Sequence, residues 1–376
     1  MGLSRVQRQS VGSALLAICT GSPVELMDDS EVSDAFLKGV VHHRLAPLAH
    51  VALRDSRPEL AAQLRPLRDQ MLYHHLRVIA TLEQVAEQFN EVPWVVFKGP
   101  ILSETAHPAP GIRWYQDLDL LVDPRDLRQL FGRLFEYGWQ LMDTDAMLGD
   151  PSFGGEVSFR TPWDTFVDLH WATTNSAALR ARYPVPVADL IGRRVTVPVA
   201  GIEVPTLEEI DTLVYLCLHA CLTGATRLLH LLDIDQFIRQ VTDPDQLIPR
   251  ALAWGAGAPA ALVLGRAHRV LGTPVPAHLN RRLELTPGFG SLMTMIDRGW
   301  PVSQVWSGSS MPRRVARHVR PSAVRTLGTI GLTSARRLPS RFRRMGKPEW
   351  TPASTDGIEA YLSKVEGAAT GMGSVA

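Results

Sequence analysis

Residues 113–124 read RWYQDLDLLVDP, and how this stretch is read decides the fold. The apolar run has the character of a buried strand, yet Asp117 and Asp119 sit within it. Side chains alternate faces along a strand, so Leu118, Leu120 and Val122 point into a core while Asp117, Asp119 and Leu121 share the opposite face. Two carboxylates one pleat apart raise each other's pKa and destabilise the strand unless a cation or basic group lies between them. The stretch is therefore either a solvated strand face or a cation site. If it is a cation site, Asp117→Asn or Asp119→Asn leaves the fold intact, or slightly steadier without metal, and abolishes function.

Upstream, WVVFKGP at 94–100 is a short β-branched and aromatic strand closed by Gly-Pro. It follows a helical pattern over 70–90, with Leu72, Leu76, Ile79, Leu82, Val85 and Phe89 at helical spacing. Downstream, Asp123-Pro124 supplies an N-cap and a proline at the first helical position. The helix it opens runs to Gly138 and carries Leu127, Leu130, Phe131, Leu134 and Phe135 as one stripe. EVSFRTPWDTFVDLHW at 156–171 reads as a hairpin turning at Pro162-Trp163-Asp164. In its second arm Phe166, Asp168 and His170 share a face, which brings a third carboxylate. A second hairpin over 195–205 turns at Ala200-Gly201, and Thr206 with Glu209 forms a capping box for a helix from Leu207.

The chain has 376 residues, 45% hydrophobic and 20% charged, an ordinary globular composition with room for more than one domain. The pattern predicts four regions: helical 1–90, a core at 91–205, helical 206–300, and a basic, partly disordered tail at 301–376. Cys19, Cys217 and Cys221 form no disulfide framework or zinc pattern, and no segment reaches about 18 consecutive apolar residues. A soluble chain in a reducing cytoplasm is expected, with no transmembrane segment. The net charge of +1 is unevenly spread. Residues 301–350 hold eleven Arg or Lys and one acid, which leaves 28 basic against 37 acidic residues elsewhere. Arg313, Arg317 and Arg320 fall at helical spacing there, followed by Arg336, Arg337, Arg341, Arg343 and Arg344. The segment 311–347 reads first as a solvated basic face, with nucleic acid or an anionic membrane surface as less favoured partners. If the tail is an appendage, removing 301–376 leaves turnover nearly intact. His42-His43, His74-His75, His219 and His230 show no metal-ligand spacing and read as structural.

Taken in order, Lys98-Gly99, Arg113, Asp117-Leu118-Asp119-Leu120-Leu121-Val122, Gly138-Trp139 and Val167-Asp168-Leu169-His170-Trp171 resemble the uncharacterised bacterial nucleotidyltransferase family. That family lies in the superfamily of the antibiotic nucleotidyltransferases and DNA polymerase beta. The resemblance covers roughly residues 35–240, including His219 and Asp233-Ile234, and leaves the tail unexplained. It implies an α+β fold in which a small mixed β-sheet nucleotidyltransferase core is flanked by N-terminal and C-terminal helical regions.

It also implies transfer of an NMP group from an NTP, such as ATP, to an unidentified small-molecule, peptide or protein acceptor. Asp117, Asp119 and Asp168 are the implied catalytic residues and ligands for magnesium, with two ions clamping the entering and leaving oxygens. Asp168 either completes the second metal site or accepts the acceptor's proton. Lys98 and Gly99 fall where the superfamily places a Gly-Ser phosphate-binding turn. Pro100 departs from that pattern because it has no N–H to donate. Lys98, Arg113 and Ser103 are the candidates to replace the lost contact, and His170 either tunes Asp168 or touches substrate. Lys98 also reads as a snorkelling strand-end lysine. The alternatives are a non-catalytic nucleotide-binding or interaction protein on the same scaffold, and a metal-dependent phosphohydrolase.

Overall fold

The β-branched runs form one mixed sheet in a computed structural model that describes residues 2–150, 154–283, 285–306, 311–336 and 351–372. Its strands are β1 Trp94–Val96, β2 Leu118–Val122, β3 Gln140–Leu141, β4 Glu156–Arg160, β5 Phe166–His170, β6 Val195–Val199 and β7 Ile202–Thr206. Their order is β3-β4-β5-β2-β1-β7-β6. β2 runs antiparallel to β1 and parallel to β5, and β7 runs parallel to β1, so the sheet is mixed and flanked by helices, as expected. The parallel β2–β5 pair needs a crossover, and the excursion through 123–165 provides it. All five residues of β2 are buried, which excludes a solvated strand face for Asp119.

Both hairpins form where their turn residues place them. Asp164 takes φ +68 between β4 and β5. Ala200 and Gly201 take φ +48 and +87, the two left-handed residues that match a tight turn to the twist of β6 and β7. The Asp123 carboxylate accepts from Arg125 N–H and opens a 3₁₀ turn that leads into the helix Leu127–Glu136. Leu127, Leu130, Phe131 and Leu134 are buried, with the Phe131 ring edge-on to Phe159 at 5.2 Å. Phe135 lies at the edge of the stripe and stays 40% exposed.

Two local expectations are corrected. The helix Pro58–Gln88 buries Met71, His75, Val78, Leu82, Val85 and, just beyond it, Phe89, while Leu72 and Leu76 are exposed. His75 takes the inward position because Tyr115 Oη at 2.7 Å and Glu104 Oε1 at 2.7 Å satisfy both ring nitrogens. A count of apolar residues alone rotates the stripe. Thr206 forms no capping box: its hydroxyl donates to Val96 O at 2.6 Å, and the helix starts at Glu209 rather than Leu207.

The contacts divide the chain into two units. One comprises Met1–Tyr73, Ala106–Trp114 and Glu209–Arg344 and is helical, with Arg266 fully buried between Asp297 and the Ala225 carbonyl. Here the basic helix spans Met311–Arg317 and stops short of Arg320. Arg337, Arg341, Arg343, Arg344 and Lys347 lie outside the described residues. The other unit comprises His74–Thr105, Tyr115–Glu208 and Met345–Ala376 and holds the sheet. Its helix Thr355–Met372 buries Tyr361, Leu362 and Val365, and Arg128 ties it down through Glu359 and Glu366, each at 2.6 Å. Among the described residues no helix is long and apolar enough to cross a membrane.

Candidate active site

Strand register assembles the site. In the parallel β2–β5 pair Asp119 stands beside Asp168. The β4–β5 hairpin sets Ser158 opposite Asp168 and Glu156 opposite His170. Lys98 follows the end of β1, beside β2, and the chain turns sharply there because Gly99 adopts φ +57. A Cβ on Gly99 would stand 3.4 Å from the Tyr115 ring and 3.5 Å from Asp117 O, so the turn has little room for a side chain.

Asp119 is 1% exposed. Its Oδ1 receives Lys98 Nζ at 2.9 Å and His170 Nε2 at 2.9 Å. Asp119 Oδ2 is buried with no hydrogen-bond partner among the described residues. His170 Nδ1 faces Glu156 Oε2 at 3.1 Å, so both ring nitrogens meet carboxylates and both donate when the ring is an imidazolium. Ser158 Oγ donates to Asp168 Oδ1 at 2.6 Å, and Ser158 N–H donates to Asp143 Oδ2 at 2.7 Å.

Burial opposes the charge on Asp119, but the Lys98 ammonium and His170 outweigh it and hold the carboxyl well below the usual range. For His170, burial disfavours the imidazolium, while the hydrogen bond to Asp119 and the charges of Glu156 and Asp119 prevail and raise its pKa. Asp168 shifts upward, chiefly through burial, against the Ser158 hydroxyl and with help from Asp119 and Asp117. Asp143 is pushed up to about 6 by burial, against the Ser158 N–H, with Asp168 and Glu156 adding repulsion. The site thus separates carboxylates by role: Asp119 is firmly ionised, while Asp168 and Asp143 hold protons more readily.

Ligand atoms of Asp119, Asp168 and His170 all lie within 4.8 Å of one another, a spacing that fits a metal ion. The unpartnered Asp119 Oδ2 is an acceptor without a donor, and two carboxylates are the oxygen donors a hard divalent cation takes. His170 has to give up a proton before its nitrogen can ligate.

The structure brings Lys98, Asp119, Asp168 and His170 together. Asp117 lies in the bend before β2, half-buried, and its charge reaches Asp168. Ser103 is fully buried in the short helix Pro100–Thr105. Arg113 belongs to the helical unit, where its Nε and Nη2 each meet an Asp233 carboxylate oxygen at 2.8 Å. Sequence reasoning missed Glu156, Ser158 and Asp143. Pairing outward from the Trp163 turn would have placed the first two opposite His170 and Asp168.

The family model for uncharacterised nucleotidyltransferases matches residues 29–272, well over half of the 376. The chain belongs to that family. A nucleotidyltransferase is a transferase of phosphorus-containing groups, and the matched segment includes every residue of the cluster. Of the three expected aspartates, Asp119 of β2 and Asp168 of β5 fall with His170 in a group whose spacing could hold a metal ion, and Asp117 is not in that group. No curated protein matches the chain.

Proposed function

We propose that the chain moves an NMP group from an NTP to a hydroxyl on an unidentified small-molecule, peptide or protein acceptor, in the cytoplasm. The observation that carries this reading is the pairing of buried Asp119 with Asp168 on adjacent parallel strands, with Lys98 and His170 at hydrogen-bonding distance. Asp119 Oδ2 and Asp168 would hold magnesium, with Asp117 at the rim for a second ion. When bound, such ions neutralise charge on the α-phosphate and the departing pyrophosphate.

The protein's own groups divide the remaining work. Lys98 delivers an ammonium to the phosphates, where negative charge grows in the transition state. Asp168, with its raised pKa, takes the acceptor hydroxyl's proton, and Ser158 fixes its orientation. Glu156 and His170 hold Asp119 in place.

The test uses α-labelled NTP with magnesium and candidate acceptors, following label transfer and pyrophosphate release. Transfer by the wild type that Asp119→Asn and Asp168→Asn each abolish supports the reading. Steady orthophosphate release without acceptor would instead identify a phosphohydrolase. A second reading, nucleotide binding without turnover, rests on Lys98 already occupying Asp119 Oδ1 and on Pro100 lacking an N–H at the first turn of its helix. Nucleotide-dependent thermal stabilisation with no transfer would favour it.

A further inference from the structure

Two helices end beside one another in the sheet unit. The helix Pro58–Gln88 stops before β1, with Glu87 and Gln88 in its last turn, Glu91 just beyond, and no basic residue in that turn. The helix Leu127–Glu136 carries Arg133 in its last turn and Tyr137 as its C-cap residue. Glu87, Gln88, Glu91, Arg133, Glu136 and Tyr137 all line one open cavity of about 460 Å³. Arg133 Nη2 donates to Glu91 Oε2 at 3.1 Å, which ties the two chain segments together. Trp94 pairs with Val122 and Val96 with Leu120, so the cavity adjoins the start of β1, whereas Lys98 and Asp119 lie past its other end.

Gln88 is 4% exposed, and its Oε1 has no hydrogen-bond partner among the described residues. It lacks the donor that a buried carbonyl oxygen almost always has, and the cavity it lines is where one can be delivered. Glu87 and Glu136 make no hydrogen bond or ion pair among the described residues, and the exposed Tyr137 ring meets no other ring or cation there. Three carboxylates against one guanidinium leave the lining with two excess negative charges. Both helices also present their C-terminal, negative ends, which favour cations. Among the described residues only Asp119, Asp168 and His170 converge at metal-ligand spacing, so the acids here surround a space instead of meeting on an ion.

We propose that this cavity, walled by Glu87, Gln88, Glu91, Glu136 and Tyr137, binds a small di- or polyamine. An ammonium offers N–H donors and no acceptor, which suits Gln88 Oε1 and the Glu87 and Glu136 carboxylates alike. Two such nitrogens match the two excess charges, and the Tyr137 ring takes a cation over its face. The volume falls within the roughly 300–1,000 Å³ of small-ligand sites and far exceeds what a bare ion fills. The site shares no residue with the nucleotidyl-transfer reading and is independent of it.

The experiment is calorimetric titration of the full chain with spermidine at about 0.15 M sodium chloride. Wild type is expected to bind it saturably. The double variant Glu87→Gln, Glu136→Gln changes exposed positions and should raise Kd about tenfold. Gln88→Met should raise Kd about two- to tenfold while the Tm of the free protein stays level or climbs, because an unpaired buried acceptor is lost. Asp168→Asn should bind as wild type does. No saturable heat in wild type, or an unchanged Kd in the double glutamate variant, overturns the site. An unchanged Kd in folded Gln88→Met does the same. So does loss of binding in Asp168→Asn, which would move the amine to the strand cluster. Magnesium that displaces spermidine as well as putrescine does would reduce the lining to a general acidic patch and also overturn the proposal.

Discussion

Lys98 Nζ stands 2.9 Å from Asp119 Oδ1, and this same oxygen receives His170 Nε2 at 2.9 Å. One buried carboxylate therefore faces two cations, and His170 has Glu156 as a second counter-charge. The sequence suggests two aspartates repelling each other along a strand; in the fold the repulsion falls on Asp168 and Asp143, while Asp119 is held by attraction.

The two aspartates consequently respond in opposite ways to neutralisation. Asp119→Asn leaves Lys98 and His170 without their shared counter-charge and should cost about 3–5 kcal/mol. Asp168→Asn keeps an oxygen for the Ser158 hydroxyl and removes a repelled charge, so its stability at pH 8 should match or exceed wild type. Urea unfolding in EDTA measures both. Equal effects of the two changes would contradict the charge assignment.

Removing the ammonium tests the cation site from the other side. Lys98→Met should lower Tm in EDTA, and magnesium should recover more of that loss than it adds to wild type, since a divalent cation can replace the missing charge. On the proposed function the variant also loses kcat and gains KM for NTP. If magnesium stabilises both proteins equally, Lys98 and the cation do not share Asp119.

The pH dependence has a fixed sign. Asp143 binds its proton more tightly folded, at about 6, than unfolded, at 3.8, so stability is greatest below the lower value and falls as pH rises towards 6. The full loss is about 3 kcal/mol. His170, with its folded pKa raised, contributes stability below its unfolded value of 6.5 that is lost as pH climbs through the folded one. Stability in EDTA should thus decline in two successive windows. Asp143→Asn should shrink only the more acidic decline, which Asp168 with its own raised pKa shares, and unfolding curves from about pH 4 to 8.5 that stay parallel to wild type would refute the assignment.

The helix Thr355–Met372 gives a fourth prediction. Trp171, next in sequence to His170, donates its indole N–H to Tyr361 Oη at 2.8 Å. Burial pushes the Tyr361 phenol up, opposed by the Trp171 bond, and Asp143 and Glu156 add to the rise. Ending the chain at residue 350 removes Tyr361, Leu362 and Val365 from the sheet unit, at about 1.5–3 kcal/mol each. The shortened protein should unfold at lower temperature and bind magnesium more weakly. Unchanged Tm would make the helix the appendage that composition suggested.

The strands and the acidic residues were legible because period-2 alternation and turn chemistry are local signals. Ser158 and Glu156 were equally readable from the Trp163 turn but carry no motif of their own. The parallel alignment of Asp119 with Asp168 was not readable, since a crossover through 123–165 fixes it. Arg113 falls within the motif order, yet its partner Asp233 lies 120 residues away, a distance no local pattern spans. The 355–372 helix was hidden because it was averaged with the strongly basic stretch before it.

The indole of Trp171 is made 190 residues before the hydroxyl that accepts its hydrogen bond. At about 5–20 residues per second, roughly 10–40 s of synthesis separate the two. Through that interval the nascent chain carries the turn Pro124–Asp126 and the short helix Asp145–Gly149 without the helix Thr355–Met372 that packs on them, leaving uncovered apolar surface of the kind chaperones retain. Translation speed, more than chain diffusion, therefore sets when this unit can close, and slowing the ribosome would prolong its exposure without altering a single residue.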